Sequence, residues 1–331
     1  MRLRGWTAAV ALASAAPALA ASQADLIAAL QALTAKDLRV ATVGERLARA
    51  ALPWCGARTA RSGLLVQDAS QFRGDVRPAA IALYGLQQGP AISGVVPGSA
   101  ADRAGLRAGD QLVALNGQPL AYREGDRHAA SEDAITALID RLNGAFAAGR
   151  VRLDVRRDGR PLTVTVAGET GCATDFQMDL VGKVNAGADG KTVTLSQGVV
   201  DFTAGDDAAL AFVLAHELSH NILGHRRAID AARARRGLLG RLGSSGGTVL
   251  RTEMEADYHA VYIVAAAGYA IDGIPEFWRR VAKRKFLVIG DGSHLSDGSR
   301  IRFLQRVVAE VAAARAAGRL APDYAAFVAK G

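Results

Sequence analysis

Hydrophobic residues near the start of the chain recur at helical spacing. Between Ala24 and Ala51 they alternate with charged residues, and Pro53 follows shortly afterwards. Such spacing gathers the apolar side chains on one helical face, and proline ends the helix. The sequence therefore predicts a long amphipathic helix, whose apolar face carries Leu26, Leu30, Leu33, Leu38 and Val43.

The pattern changes over residues 77–167 to short apolar runs separated by glycine. The runs Val151–Arg156 and Leu162–Val166 flank Asp158-Gly159, a dipeptide typical of a tight hairpin turn. A helical pattern from Ser131 to Phe146 precedes them. This part of the chain is therefore predicted to be a β-rich module with one long helix.

Helical periodicity returns after Cys172. Three segments, Asp206–Asp230, Arg251–Ala267 and Ser299–Ala317, are predicted to be helices, and strands are expected on both sides of Asp189-Gly190. The whole chain is therefore predicted to be α+β, with a mainly helical domain that has a small sheet and contains the β-rich module as an insertion.

The first twenty residues have the layout of an export signal. Arg2 and Arg4 precede an apolar stretch, and Ala18-Leu19-Ala20 provides a small-residue cleavage site. We therefore expect a signal peptide over 1–20 and a protein that is exported to the periplasm or another extracytoplasmic compartment. The remaining apolar runs are shorter than the roughly 18 residues of a membrane span, so no transmembrane segment is expected in the mature chain.

Composition narrows the choice of partners. The 331 residues allow about two domains. Without the two arginines of the signal peptide the net charge falls from +8 to +6, which is modest, and no nucleic-acid motif accompanies it, so nucleic acid is not an expected partner. The two cysteines, Cys55 and Cys172, are expected to form one disulfide in an oxidising compartment, with two buried free thiols as the alternative.

The stretch from Gly94 to Gly117 resembles the core of bacterial PDZ domains. It combines a Pro-Gly turn, a short helix closed by Ala-Gly-Leu, a Gly-Asp pair and a strand ending in Asn-Gly. The resemblance implies a PDZ domain over 76–168, which adds an extended peptide as a strand and binds its terminal carboxylate through backbone N–H groups. It also implies that Tyr84, Gly85 and Leu86 form the carboxylate-binding loop. A structural or autoinhibitory PDZ domain remains the alternative.

The segment His216-Glu217-Leu218-Ser219-His220 follows an unbroken run of helix-forming residues. Histidines four positions apart lie on one helical face, so both imidazoles can reach one Zn²⁺. Glu217 would lie beside the zinc-bound water, and zinc lowers the pKa of that water toward about 7, so the carboxylate can act as general base. The segment predicts one zinc per chain and peptide-bond hydrolysis, against the alternative of an ordinary helical histidine pair.

The third ligand is expected from a glutamate-rich segment further along the chain. Glu253 and Asp257 share one helical face, which favours Glu253 on the zinc and Asp257 on the outer nitrogen of a ligand histidine. Glu255 lies on another face and is the competing ligand. His225 lacks the spacing of a third metzincin histidine, and His259 is interpreted as structural or surface-exposed.

These motifs together resemble the HtpX, BepA and Oma type of zinc metallopeptidase, which belongs with the CAAX prenyl proteases in metallopeptidase family forty-eight. The resemblance implies a zincin-type metallopeptidase domain formed by residues 21–75 and 169–331. It rests on Val184-Asn185-Ala186, the zinc-motif helix with His225, the spacing of Glu253 and Asp257, Ala267-Gly268-Tyr269, and Phe277-Trp278.

The same family has a His-Pro segment followed by Arg-Ile before its last helix, and this chain has His294-Leu295 followed by Arg300-Ile301. By that similarity His294 should face the metal, where it either donates to the oxyanion or occludes zinc in a resting form. Arg300 should stabilise the site nearby.

The sequence thus predicts an exported zinc endopeptidase that hydrolyses unfolded or misassembled envelope proteins, with the PDZ domain recognising substrate or regulating access. The alternative is a PDZ-containing chaperone or scaffold with an occluded zinc site. Glu217 favours the enzyme, because a scaffold needs no general base. The expected partners are proteins or peptides, and an arginine-rich stretch beyond His225 leaves peripheral membrane contact open.

Overall fold

The computed structural model describes residues 21–120, 129–236, 246–283, 288–289 and 297–329. The predicted signal peptide lies outside the described residues. The predicted α+β class is confirmed, since helices and several small sheets alternate along the chain. The chain divides into two compact units, one with residues up to 45 and 59–170, the other with residues 46–58 and 171–331.

The elements of the first unit and its edges alternate short strands with a few helices. They are α1 (Gln23–Ala50), β1 (Arg58–Arg61), β2 (Leu64–Gln67), a 3-10 turn (Ala69–Gln71), α2 (Val76–Tyr84), β3 (Ala91–Val95), α3 (Ala100–Arg103), β4 (Gln111–Leu115), β5 (Gln118–Pro119), α4 (Asp133–Ala148), β6 (Arg150–Arg157), β7 (Arg160–Ala167) and β8 (Glu169–Cys172).

An antiparallel sheet forms the centre of this unit. Its strand order is β2-β3-β4-β6-β7, with β5 paired to β4, while β1 and β8 form a separate two-stranded sheet. The predicted hairpin joins β6 and β7, because Asp158 and Gly159 both adopt the positive φ that a tight two-residue turn requires. Apolar side chains of α4, including Ile135 and Ile139, pack with Val151 and Leu153 of β6 in one core.

The sheet begins earlier in the chain than the predicted module boundary at residue 76. Strand β2 is hydrogen-bonded to β3, with Leu64 opposite Val95, and therefore belongs to the same sheet. Helix α2 follows β2, although the sequence pattern did not predict a helix there. Its C-terminus is capped at Gly85, which adopts a left-handed conformation with φ 74°.

The second unit is mainly helical. Its further elements are β9 (Asp175–Asp179), β10 (Asn185–Ala188), β11 (Thr192–Ser196), α5 (Gln197–Phe202), α6 (Asp207–Leu223), α7 (His225–Arg236), α8 (Gly246–Ala266), α9 (Ile274–Ala282), β12 (Val288–Ile289), α10 (Asp297–Ala316) and α11 (Tyr324–Ala329).

A four-stranded sheet with the order β12-β10-β11-β9 accompanies these helices. Strands β10 and β11 lie on the two sides of Asp189-Gly190 as predicted and pair antiparallel, and the two outer pairings are parallel. Helices α6 and α8 are apolar around much of their circumference, and most of their side chains are buried. Such helices lie inside a core, so polar side chains on them are held in fixed positions.

A disulfide joins Cys55 to Cys172, as the sequence predicted, with the two Cα atoms 5.8 Å apart. Both cysteines belong to the second unit and stand on either side of residues 59–170. Among the described helices, none has both the length and the hydropathy needed to cross a membrane.

Candidate metal centre and peptide groove

Helix α6 carries the first two candidate ligands. The Asp206 side chain caps its N-terminus by accepting a hydrogen bond from the Ala209 N–H at 2.9 Å. The helix-forming run that follows is buried, and it leads directly to His216, which is 2% exposed. Because His216 and His220 are four positions apart, their rings lie on the same side of the helix, with the two Nε2 atoms 3.2 Å apart.

The third candidate ligand comes from α8. Carboxylate oxygens of Glu253 lie 3.4 Å from Nε2 of His216 and 3.4 Å from Nε2 of His220. One ligand atom from each of the three residues falls within 4.8 Å of the others. Two imidazole nitrogens and a carboxylate oxygen converging on one point form a donor set that suits zinc.

Asp257 lies one helical turn beyond Glu253 on α8. It contacts the ring nitrogen of His216 that does not face Glu253. Its carboxylate is 2.9 Å from Nδ1 of His216. Arg300 from α10 donates two hydrogen bonds of 2.7 Å to the same carboxylate, one from Nε and one from Nη2. The Arg300 guanidinium also lies 3.5 Å from the centre of the Trp278 ring. Both predicted residues, Asp257 and Arg300, are therefore part of the buried surroundings of His216.

The electrostatics of the site favour one bound cation. Burial lowers the pKa of His216, but hydrogen bonds and the charges of Asp257 and Glu253 outweigh it and raise that pKa to about 10. Burial, followed by the charge of His216, lowers the pKa of His220 to about 3, which keeps its ring neutral as metal coordination requires. Burial raises the pKa of Asp257, but Arg300 and then His216 hold it below its ordinary range. The residues present fit a divalent metal ion.

Glu217 and His294 complete the set of predicted residues. Glu217 follows His216 on α6 and is 3% exposed, so its carboxylate is buried in the same part of the unit. His294 lies outside the described residues.

His225 has a position that the sequence reasoning missed. Its Nδ1 lies 3.0 Å from Nδ1 of His220, and its Nε2 lies 3.5 Å from a carboxylate oxygen of Glu255. The two glutamates that competed for the metal thus have different neighbours, since Glu253 faces both zinc-motif histidines and Glu255 faces His225. Gly224 was the available signal, because a glycine that ends the helix changes the direction of the residue after it.

The expected carboxylate-binding loop has another role in the structure. Tyr84 ends α2 with its hydroxyl 2.7 Å from that of Thr34, and Leu86 is fully buried. The N–H groups of Gly85 and Leu86 both donate to the carbonyl of Ile81, at 3.0 and 3.2 Å. These amides cap the helix, so the prediction that they bind a peptide carboxylate was wrong.

A different loop borders a pocket beside β2. Gly63 precedes this outer strand with φ +77°, and a Cβ at this position would lie 2.3 Å from Ser99, so only glycine fits. The pocket lies between β2 and α4 and is lined by Glu45, Ala60, Arg61, Ser62, Gly63, Leu64, Val66, Ile139, Leu142 and Asn143. The edge strand β2 and the apolar face of α4 form two of its walls.

Comparison with known proteins identifies two segments. Residues 92–131 match the family model of the PDZ domain, and residues 166–238, which include the zinc motif, match that of Peptidase family M48. The chain is also 30% identical over 113 residues to the periplasmic pH-dependent serine endoprotease DegQ of Escherichia coli (strain K12). That alignment covers 34% of this chain and 21% of DegQ, and it concerns the PDZ domain.

Proposed function

We propose that this chain, which combines a PDZ domain with a segment of peptidase family M48, is an exported zinc endopeptidase that cleaves unfolded or misassembled envelope proteins. The observation that carries the proposal is the convergence of His216, His220 and Glu253 on one point, with the buried Glu217 next to His216 on α6. A binding protein needs no general base at that position.

His216, His220 and Glu253 would hold the ion, and a bound zinc would supply a Lewis acid for activating water and polarising the scissile carbonyl. Glu217 accepts a proton from the attacking water and later delivers it to the leaving amine. Asp257 would accept the Nδ1–H of His216, so that Nε2 of that ring, 3.4 Å from Glu253, is the nitrogen that loses its proton and binds the ion. Arg300 keeps Asp257 ionised and oriented. His294, by the family resemblance, contributes to the oxyanion or blocks the resting site.

The groove between β2 and α4 is the proposed peptide-binding site of the PDZ domain. A peptide would extend the sheet along β2, with its terminal carboxylate at Ser62-Gly63 and its last side chain against Leu64 and Leu142. Glu45 of α1 already forms an ion pair with Arg61 at this end of the groove. An incoming carboxylate must compete with Glu45, which supports a regulatory role for the domain.

Export is supported by two independent features. The N-terminal sequence has the order of a signal peptide, and the disulfide between Cys55 and Cys172 is a bond that persists in oxidising compartments. The similar protein DegQ is periplasmic. We therefore place the mature chain in the periplasm or an equivalent compartment, with protein or peptide substrates.

The catalytic proposal is tested with Glu217→Gln, which removes the base and keeps every proposed ligand. The variant should bind one zinc per chain and lose at least about a hundredfold of the rate on a labelled unfolded protein. Glu276→Gln, an exposed acid on α9, is the matched control and should keep the wild-type rate. Near wild-type hydrolysis by Glu217→Gln would show that another group performs the catalysis.

The groove is tested with fluorescent peptides that end in valine and carry either a free or an amidated C-terminus. We expect only the free carboxylate to bind, and Glu45→Gln to tighten that binding because Arg61 loses its competing partner. Equal binding of the two peptides would exclude carboxylate recognition in the groove.

A further inference from the structure

The end of α6 places His225 unusually close to His220. On a continuous helix, residues five positions apart point in directions about 140° apart, since each residue turns about 100°. Here the left-handed Gly224, with φ 67°, ends α6, and a separate helix, α7, starts at His225. The two imidazoles consequently meet edge to face, with ring centres 4.9 Å apart and Nδ1 atoms 3.0 Å apart.

A hydrogen bond between two Nδ1 atoms needs one protonated nitrogen and one lone pair. The other nitrogen of His220, Nε2, lies 3.4 Å from Glu253 and 3.2 Å from Nε2 of His216, on the metal side of the ring. Coordination through Nε2 requires its lone pair, so the proton of a neutral His220 must be on Nδ1. His225 must then accept at Nδ1, and its own proton is on Nε2.

Glu255 favours this tautomer of His225 from the other side of the His225 ring. A carboxylate oxygen of Glu255 lies 3.5 Å from Nε2 of His225, a buried nitrogen that has no hydrogen-bond partner among the described residues, so the contact acts through charge. An ionised carboxylate only accepts hydrogen bonds, so it favours the tautomer of His225 with the proton on Nε2. In the opposite tautomer of His225, Nδ1 carries the proton and donates to Nδ1 of His220. The proton of a neutral His220 is then on Nε2, where it prevents metal binding.

From this geometry we propose that His225, oriented by Glu255, is a positioning residue that fixes the metal-binding tautomer of His220. It does for His220 what Asp257 does for His216. The inference rests on the zinc site under Proposed function, and it assigns a role to the glutamate that does not face the metal.

The test measures the zinc dissociation constant of the full mature chain by competition with a chromophoric chelator. His225→Phe keeps a ring and removes the acceptor, and we expect its dissociation constant to rise 10- to 100-fold. His225→Asn keeps an oxygen acceptor near the Nδ1 position and should stay within about threefold of wild type. His259→Phe, which replaces the other histidine near Glu255 on α8, is the matched control and should leave affinity unchanged.

A second measurement reads the tautomer directly and does not depend on activity. In ¹⁵N spectra of the metal-free protein, His220 should show a protonated Nδ1 in wild type and in His225→Asn. Residue 255 is not in contact with His220. Glu255→Leu should nevertheless shift the His220 ring toward protonation at Nε2 and lower the affinity for zinc. This variant keeps the test valid even if His225→Phe fails to fold.

Three results would overturn the inference: His225→Phe binding zinc as wild type does, the Phe and Asn variants losing affinity equally, or an unchanged His220 tautomer in Glu255→Leu. Failure of the zinc proposal itself is distinguishable, because the wild-type chain would then bind no zinc.

Discussion

The carboxylate of Glu45 and the guanidinium of Arg61 lie 2.8 Å apart, and each side chain is only 2% exposed. Two charges removed from water in this way require one another, because neither can recover its hydration while the unit is folded. The pair joins α1 to Arg61, the residue that precedes Ser62-Gly63. It therefore contributes both to the stability of the unit and to the charge beside Ser62-Gly63.

We expect Glu45→Leu to lower the free energy of unfolding by about 3–5 kcal/mol, because it leaves the buried Arg61 charge without its carboxylate. Adding Arg61→Met should restore most of that loss. Urea denaturation of the full chain measures both changes. The exposed pair Arg226–Asp230 is the control, and its disruption should cost less than about 1 kcal/mol. A Glu45→Leu variant as stable as wild type would contradict this account of the pair.

Metal analysis of two alanine variants separates the competing glutamates. Glu253→Ala should lose its bound zinc, since this side chain is the one within 3.4 Å of both zinc-motif histidines. Glu255→Ala should still bind one zinc per chain at saturating metal, with weakened affinity only. Loss of zinc from the Glu255 variant alone would make Glu255 the ligand.

Arg300→Lys should weaken zinc binding about 10- to 100-fold, although it keeps the charge. Lysine has one ammonium group and cannot reproduce the two parallel hydrogen bonds that orient Asp257. The same chelator competition measures the effect. Arg302→Lys on the exposed side of α10 is the control, and equal affinities for the two variants would show that the paired hydrogen bonds do not matter.

His259 should make the protein sensitive to acid. Burial lowers its pKa from 6.5 to about 4, so between these values the unfolded chain binds a proton that the folded chain does not. Stability therefore falls as pH drops from 6.5 to 4, by up to about 3 kcal/mol from this residue. His259→Gln should reduce the difference between urea midpoints at pH 7 and pH 4.5. An unchanged difference would mean that His259 titrates normally.

The clustering of the candidate metal ligands was predictable because helical periodicity converts spacing along the chain directly into proximity. His216 and His220 are four apart, and so are Glu253 and Asp257, so each pair shares one helical face before any tertiary structure is known. The contact between His225 and His220 was not predictable from spacing, because it depends on the left-handed turn at Gly224 that interrupts the helix. Sequence periodicity therefore predicts contacts within one helix, and it does not predict contacts made where a helix ends.

The pocket proposed to bind a peptide shows that contacts between distant segments are also hard to predict from sequence. The strands of the PDZ core were recognisable from glycine-bounded apolar runs, but β2 comes from outside the predicted module and joins the sheet through pairing with β3. Strand pairing between distant segments leaves little trace in one sequence. The loop at Tyr84-Gly85-Leu86 was assigned by the resemblance to PDZ domains, and the structure uses its glycine to end a helix.

The bond between Cys55 and Cys172 makes the intervening chain a covalent ring. A cut at any peptide bond between the two cysteines opens the ring without releasing a fragment, because the chain that follows Cys172 and the N-terminal helix stay tethered through sulfur. For the endopeptidase proposed above this matters in its own compartment, where its neighbours include further copies of itself. A copy nicked within the insertion remains one molecule until a reductant separates the two pieces.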